Sequence, residues 1–151
     1  MDKTLISRRF AKAVGTYLDK ADVQRYVASR MAELTGRYIP ADVQERVLEI
    51  GCGTGMFTRM YLKQAAPEEM WLNDLCPEVE PYLADVLGGK VHFVAKDAET
   101  LAFPAGQDLI VSCSAVQWFD DLPRFFSGCR KLLHEGGYLA FSTFGPHNTE
   151  E

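Results

Sequence analysis

The stretch "VLEIGCGTG", Val47 to Gly55, sets three glycines at alternate positions directly after an apolar run. A strand feeding a tight glycine turn and then a helix is the general geometry of a nucleotide cradle. Such a turn offers backbone N–H groups and has no Cβ atoms to hold a ligand off. Its phosphate-binding versions fit poorly here. No Gly-Lys-Ser/Thr follows, which excludes a P-loop, and Met56 stands where the G-x-G-x-x-G fingerprint needs its third glycine. No Lys or Arg lies near the loop before Arg59, so a pyrophosphate would meet backbone donors alone. Glu49, just before the turn, repels phosphate and suits a cationic ligand.

Two further acids stand at strand ends. Asp74 closes "EMWLND", 19 residues beyond Gly55, where a carboxylate can accept from both hydroxyls of a ribose. Asp97 closes "KVHFVAKD"; a carboxylate there can accept from an adenine amino group while the backbone N–H of Ala98 meets a ring nitrogen. A backbone cradle, a ribose clamp and an adenine reader would then share the C-terminal edge of one sheet, where open α/β sheets bind ligands. A nucleoside with a positively charged tail fits this set better than a dinucleotide. The competing reading makes the glycines a bare turn, Asp74 a helix cap and Asp97 a solvated turn residue.

Those residues need a scaffold, and the sequence repeats one beat. Strands "RVLEIG", "EMWLND", "KVHFVAKD", "DLIVSCS" and "YLAFSTF" alternate with segments of helical character: "MFTRMYLKQAA", "PEVEPYLADVLGG" and "DDLPRFFSGCRKLLHEGG". Such alternation predicts βαβ units, right-handed crossovers and a parallel sheet. Ahead of them, "SRRFAKAVGTYLDKA" reads as a short helix. "DVQRYVASRMAELTG" reads as a second, with Val23, Val27, Met31 and Leu34 on one stripe, Asp22 as N-cap and Gly36 as its stop. Pro77 is expected in the first turn of the helix after the second strand, with Gly88 past its end. Residues 1–40 are taken as a helical lid or cap and 41–151 as the core.

Composition narrows the classes. The 151 residues are 47% hydrophobic and 25% charged, an ordinary globular chain, and a net charge of −5 without a basic cluster argues against a nucleic-acid partner. No apolar run approaches membrane-spanning length and the N-terminus lacks a signal-peptide core, so a cytoplasmic location is expected. Cys52, Cys76, Cys113 and Cys129 form no C-x-x-C pair, and His92, His134 and His147 no ligand cluster. Four reduced, semi-buried thiols and no metal are expected.

"VLEIGCGTG", "WLNDLCPE", "KDAETLAFP", "DLIVSCSAVQWFDD" and "LLHEGGYLAFSTFG" resemble successive motifs of the class I S-adenosylmethionine-dependent methyltransferases. Within that superfamily, "RRFAKAVGTYLDKADVQ", "SAVQWFDDL" and "GGYLAFSTFG" resemble the malonyl-acyl-carrier protein O-methyltransferases of biotin synthesis. Aconitate- and quinone-pathway enzymes share parts of these marks. The resemblance implies a Rossmann-like α/β fold with strand order 3-2-1-4-5, in which five of the family's seven strands are present and the last two missing. It implies S-adenosyl-L-methionine as cofactor, held by Glu49, Gly51, Gly53, Thr54, Gly55, Asp74, Leu75, Asp97, Ala98 and Ser112. Tyr17, Gln117 and Trp118 would shape the lid and the transfer pocket. The acceptor would be malonyl-acyl-carrier protein or a small carboxylic acid. Its carboxylate is already anionic, so no catalytic base is expected, and Arg8 and Arg9 are the paired arginines that could meet it. A cofactor-binding module without turnover is the reading of another class, and an NAD-dependent oxidoreductase a third. An uncharged fifth strand at the sheet edge also points to self-association.

Overall fold

The two most deeply buried strands lie at the centre of the sheet. β1 (Arg46–Ile50) and β4 (Gln107–Cys113) run parallel, Val47 opposite Leu109 and Ile50 opposite Ser112. Val47, Leu48, Leu109 and Ile110 are wholly buried, as strands without polar alternation must be. β2 (Glu69–Asp74) and β3 (Val91–Ala95) extend the sheet on one side and β5 (Leu133–Ser142) on the other. All four pairings are parallel and the order is β3-β2-β1-β4-β5, as expected. The structure is a computed structural model that describes residues 20–113 and 119–142.

Helices cover both faces. α1 (Lys20–Tyr38) and α2 (Met56–Leu62) pack against the face that carries Val47, Leu72 and Val111. α3 (Leu122–Leu132) packs against the face that carries Leu48, Ile50 and Ile110, through Phe125, Cys129 and Leu132. No helix of the described residues is long and apolar enough to cross a membrane. Cys52 and Cys129 are buried, Cys113 half-buried and all four thiols free, but Cys76 is exposed rather than semi-buried.

Several boundaries depart from expectation. Asp22 lies inside the first turn of α1, paired with Arg25 at 2.9 Å, and does not cap it. Gly36 does not end α1 either: a Cβ there would come within 3.0 Å of the Gln64 amide, so the glycine admits a close neighbour. The deepest stripe of α1 is Ala28, Met31, Ala32 and Thr35, whereas Val23, Val27 and Leu34 are half-buried. Small residues win because the sheet is close. Between β2 and β3 the expected helix is a 3-10 turn, Pro77–Leu83, because Pro81 inside it has no N–H to donate. α2 ends at Leu62 and α3 at Leu132, passing straight into β5. Gly136 and Gly137 fall instead where the β4–β5 register slips between Gln107 and Leu109. The expected helix over residues 7–21 falls almost wholly outside the described residues.

Asp108 pins the start of this scaffold. One carboxylate oxygen accepts the backbone N–H of Glu45 (2.9 Å) and of Arg46 (2.8 Å), and the other meets Nε2 of His134 at the start of β5. Burial pushes the Asp108 carboxyl up, yet the Arg46 N–H, His134 and the Glu45 N–H outweigh it and hold it below 3.8. The same contact raises His134 above 6.5. A depressed acid stabilises the fold above its unfolded value and loses that as pH falls; a raised base stabilises below its unfolded value and loses that as pH rises. The pair therefore acts fully between 3.8 and 6.5. His134→Gln should lower the melting temperature more at about pH 5.5 than at about pH 9. An equal loss at both would show the contact to be pH-insensitive.

Candidate functional site

The glycine loop leaves β1 in a conformation that ordinary side chains resist. Gly51, Gly53 and Gly55 all have left-handed φ, at 71°, 55° and 92°. Gly55 is constrained twice over: a Cβ on it would lie 2.7 Å from Leu83 Cδ2 and 2.9 Å from an Arg59 nitrogen. The third glycine of this G-x-G-x-G loop thus packs loop against the 3-10 turn. At Gly53, by contrast, a Cβ would meet nothing within 4 Å, so that glycine borders open space where a ligand can lie. Thr54 is exposed at the loop tip.

The strand ends are tied together by backbone. Cys52 N–H donates to Asn73 O at 2.8 Å, Lys96 N–H to Asp74 O at 3.1 Å, and the Asn73 amide to Lys96 O at 2.9 Å. At their junction sits the Asp74 carboxylate. Oδ2 accepts Gly53 N–H at 2.8 Å and Oδ1 accepts Cys76 N–H at 3.0 Å. Each carboxylate oxygen has a second lone pair, so both remain able to accept a hydroxyl. Leu75 follows it, 50% exposed.

Asp97 lies two residues past the end of β3, which stops at Ala95 rather than at Asp97. Its Oδ1 accepts Glu99 N–H at 3.0 Å and so caps the short turn Ala98–Thr100, in which Ala98 is buried. Glu99 in turn accepts the backbone N–H groups of Asp120 and Asp121, at 3.0 and 3.1 Å, and fastens the entry of α3 to this edge. Ser112 belongs to β4 and lies on the α3 face; its buried hydroxyl has no hydrogen-bond partner among the described residues. An orphaned hydroxyl beside a glycine loop is where a bound molecule would restore the missing bond.

Glu49 is 1% exposed, and its Oε1 accepts a hydrogen bond from the Thr58 hydroxyl at 2.5 Å. Burial pushes its carboxyl from 4.5 to about 8, the Thr58 bond opposing and the Asp74 charge adding to the rise. Burial thus favours the neutral carboxyl of Glu49 over the anion its place before the loop implies. Burial and the Glu49 and Asp74 charges also push the Cys52 thiol up, while burial and Glu49 raise Cys113, so neither is a thiolate nucleophile. No group of three His, Cys, Asp or Glu able to hold a metal ion occurs among the described residues.

Gly51, Gly53, Gly55, Asp74 and Ser112 thus gather at the C-terminal ends of β1, β2 and β4, with Leu75, Asp97 and Ala98 along the same edge. Tyr17, Gln117, Trp118, Arg8 and Arg9 lie outside the described residues. Asp85 went unnoticed in the sequence: it pairs with Arg59, 26 residues away, and no motif marks that separation.

Residues 48–141 match a family model described as a methyltransferase domain. Over its whole length the chain is 50% identical to a malonyl-acyl-carrier protein O-methyltransferase of Bacteroides thetaiotaomicron and 34% identical to one of Acinetobacter baylyi. It spans 58% of the length of each of these two relatives. An S-adenosylmethionine-dependent methyltransferase from Mesorhizobium loti shares the fold with a TM-score of 0.65 at 24% identity, over 77% of this chain and 54% of that one. A DhpI–SAM–HEP complex does so at 0.67 and 19%, over 99% of this chain and 68% of that chain.

The Glu49 carboxyl makes a sign-definite prediction. Its raised value means that the folded state binds an extra proton between 4.5 and about 8, so stability falls as pH rises across that window. Glu49→Gln, neutral throughout, should flatten the dependence, so that the variant gains on the parent from about pH 5 to about pH 8. Thermal melts of both proteins at each pH decide it; parallel curves would mean that Glu49 does not hold its proton.

Proposed function

The chain belongs to the methyltransferase domain family, and on that premise we propose that it binds S-adenosyl-L-methionine at the glycine loop and Asp74. We propose further that it methylates the free carboxylate of malonyl-acyl-carrier protein. The observation that carries the first step is the Asp74 carboxylate, fixed by two backbone donors yet with a lone pair left on each oxygen. The 50% identity to a relative named for the second step supports that acceptor.

When bound, S-adenosylmethionine supplies an electrophilic sulfonium methyl group. The residues of the loop and the strand ends would hold it as follows. Asp74 accepts from the ribose hydroxyls, with Leu75 against the adenine. Asp97 and the Ala98 N–H address the adenine edge. Gly51, Gly53, Thr54 and Gly55 take the methionine part along the loop, and Ser112 Oγ supplies the bond it lacks. Neutral Glu49 regains its charge at little cost beside a cationic ligand, because an opposite charge favours ionisation. A carboxylate acceptor needs no general base, so proximity, orientation and exclusion of water make up the protein's contribution.

Asp74→Ala removes charge-assisted bonds worth about 1.5–3 kcal/mol each, so cofactor affinity should fall by roughly tenfold or more. The decisive assay is methyl transfer from labelled cofactor onto malonyl-acyl-carrier protein beside a panel of small carboxylic acids. Transfer to the carrier-bound malonyl group is expected. Preference for a small acid would reassign the acceptor, and cofactor binding with no transfer to any of them would make this chain a binding module.

A second copy of this chain is the partner that β5 suits. In the order of the described strands β5 stands beside β4 at one end of the sheet, the stretch 138–141 is uncharged, and Tyr138 and Phe141 are 38% and 42% exposed. Beside it a groove of about 310 Å³ opens between Met31, Tyr38 and Phe141. Uncharged apolar edges pair with their own kind unless covered. Light scattering should show association that Phe141→Lys reduces; a monomer at all concentrations would contradict it.

A further inference from the structure

Arg59 reaches the glycine loop, and four of its five N–H donors are taken. Nη1 donates to Thr54 O at 2.6 Å, Nη2 to Tyr82 O at 2.5 Å, and the fork of Nε and Nη2 grips both oxygens of Asp85 at 2.8 and 2.6 Å. Three separate pieces of chain meet in this one side chain: the loop tip, the first turns of α2 and the segment that follows Asp74. Gly55 lies beneath it, close enough that any Cβ would collide with the guanidinium and with Leu83.

Stability does not explain so full a set of contacts. The two side chains are 36% and 60% exposed, and an ion pair that open to water adds little to folding. Geometry does explain it. A planar fork that binds a carboxylate through two parallel bonds fixes orientation as well as distance. With Asp85 setting its plane, Arg59 fixes the Thr54 carbonyl on one side and the Tyr82 carbonyl on the other. The loop is thereby held at a set distance from the 3-10 turn, and Gly53 N–H is held where Asp74 receives it. The same contacts leave Arg59 spent: it is not available to a phosphate.

We propose that Arg59 and Asp85 form a positioning clasp, which sets the spacing of the cradle between the glycine loop and the segment after Asp74 and so sets affinity for an S-adenosyl ligand. The clasp rests on the cofactor reading above for its ligand, but not for its effect on the loop.

The test uses the full chain, S-adenosylhomocysteine as probe, and the variants Asp85→Asn and Arg59→Lys. Asn keeps the shape and loses the charge; Lys keeps the charge and loses the fork. Amide hydrogen exchange is followed at Gly53 without ligand, with Leu48 and Ile110 as internal references in the central strands. Both variants should speed exchange at Gly53 while the references hold, and weaken S-adenosylhomocysteine binding by about tenfold or more, since small misplacements at a preorganised site are costly. Unchanged exchange and affinity would overturn the clasp. Exchange rising equally at Leu48 and Ile110 would also overturn it, as that marks a general stabiliser. If the parent chain fails to bind the probe, the cofactor reading falls, and exchange at Gly53 still decides the clasp.

Discussion

One carboxylate holds the site together. Asp74 takes an N–H from the glycine loop with one oxygen and an N–H from the chain beyond β2 with the other. Hydrogen bonds to an ionised acceptor are worth about 1.5–3 kcal/mol each, roughly twice those between neutral groups. The left-handed glycines at alternate positions 51, 53 and 55 gain from such an anchor, because a residue without a Cβ adds no side-chain packing of its own. Through Asp74 the loop inherits the rigidity of a five-stranded parallel sheet, and the strand ends converge on a point where a ligand can lie.

The charges around that point differ from those of a phosphate cradle. Arg59 is bound to Asp85, Lys96 donates to Ala102 O, and neither stands free over the loop. The buried acid beneath, Glu49, has its carboxyl pushed up by burial, and a cationic neighbour favours its ionised form. A pyrophosphate would face Asp74 with backbone donors alone; a sulfonium with an amino-acid tail would face a carboxylate and an acid ready to ionise. This contrast separates an S-adenosyl ligand from a dinucleotide, on a fold that serves both.

Much of this was legible in the sequence, for a physical reason. Strands buried on both faces announce themselves as apolar runs, and the glycines and Asp74 occupy positions that backbone geometry dictates. The glycines and Asp74 were read from their spacing, whereas the strand order and Ser112 came only through the family resemblance. What stayed hidden was set by tertiary contact. Gly36 looked like a helix stop, but it admits Gln64 from the turn that follows α2. Pro81 turned an expected helix into a 3-10 turn. Asp85 and Asp108 drew no reading from the sequence; their partners, Arg59 and His134, are each 26 residues away in sequence and adjacent only in the fold.

The most direct test of the cradle is a crystal structure of this chain with S-adenosylhomocysteine bound. Both ribose hydroxyls should lie within hydrogen-bond reach of Asp74 while Gly53 N–H keeps its bond to the same carboxylate, and Ser112 Oγ should have gained a partner. A ligand seated away from the glycine loop, or an Asp74 turned from the ribose, would contradict the account.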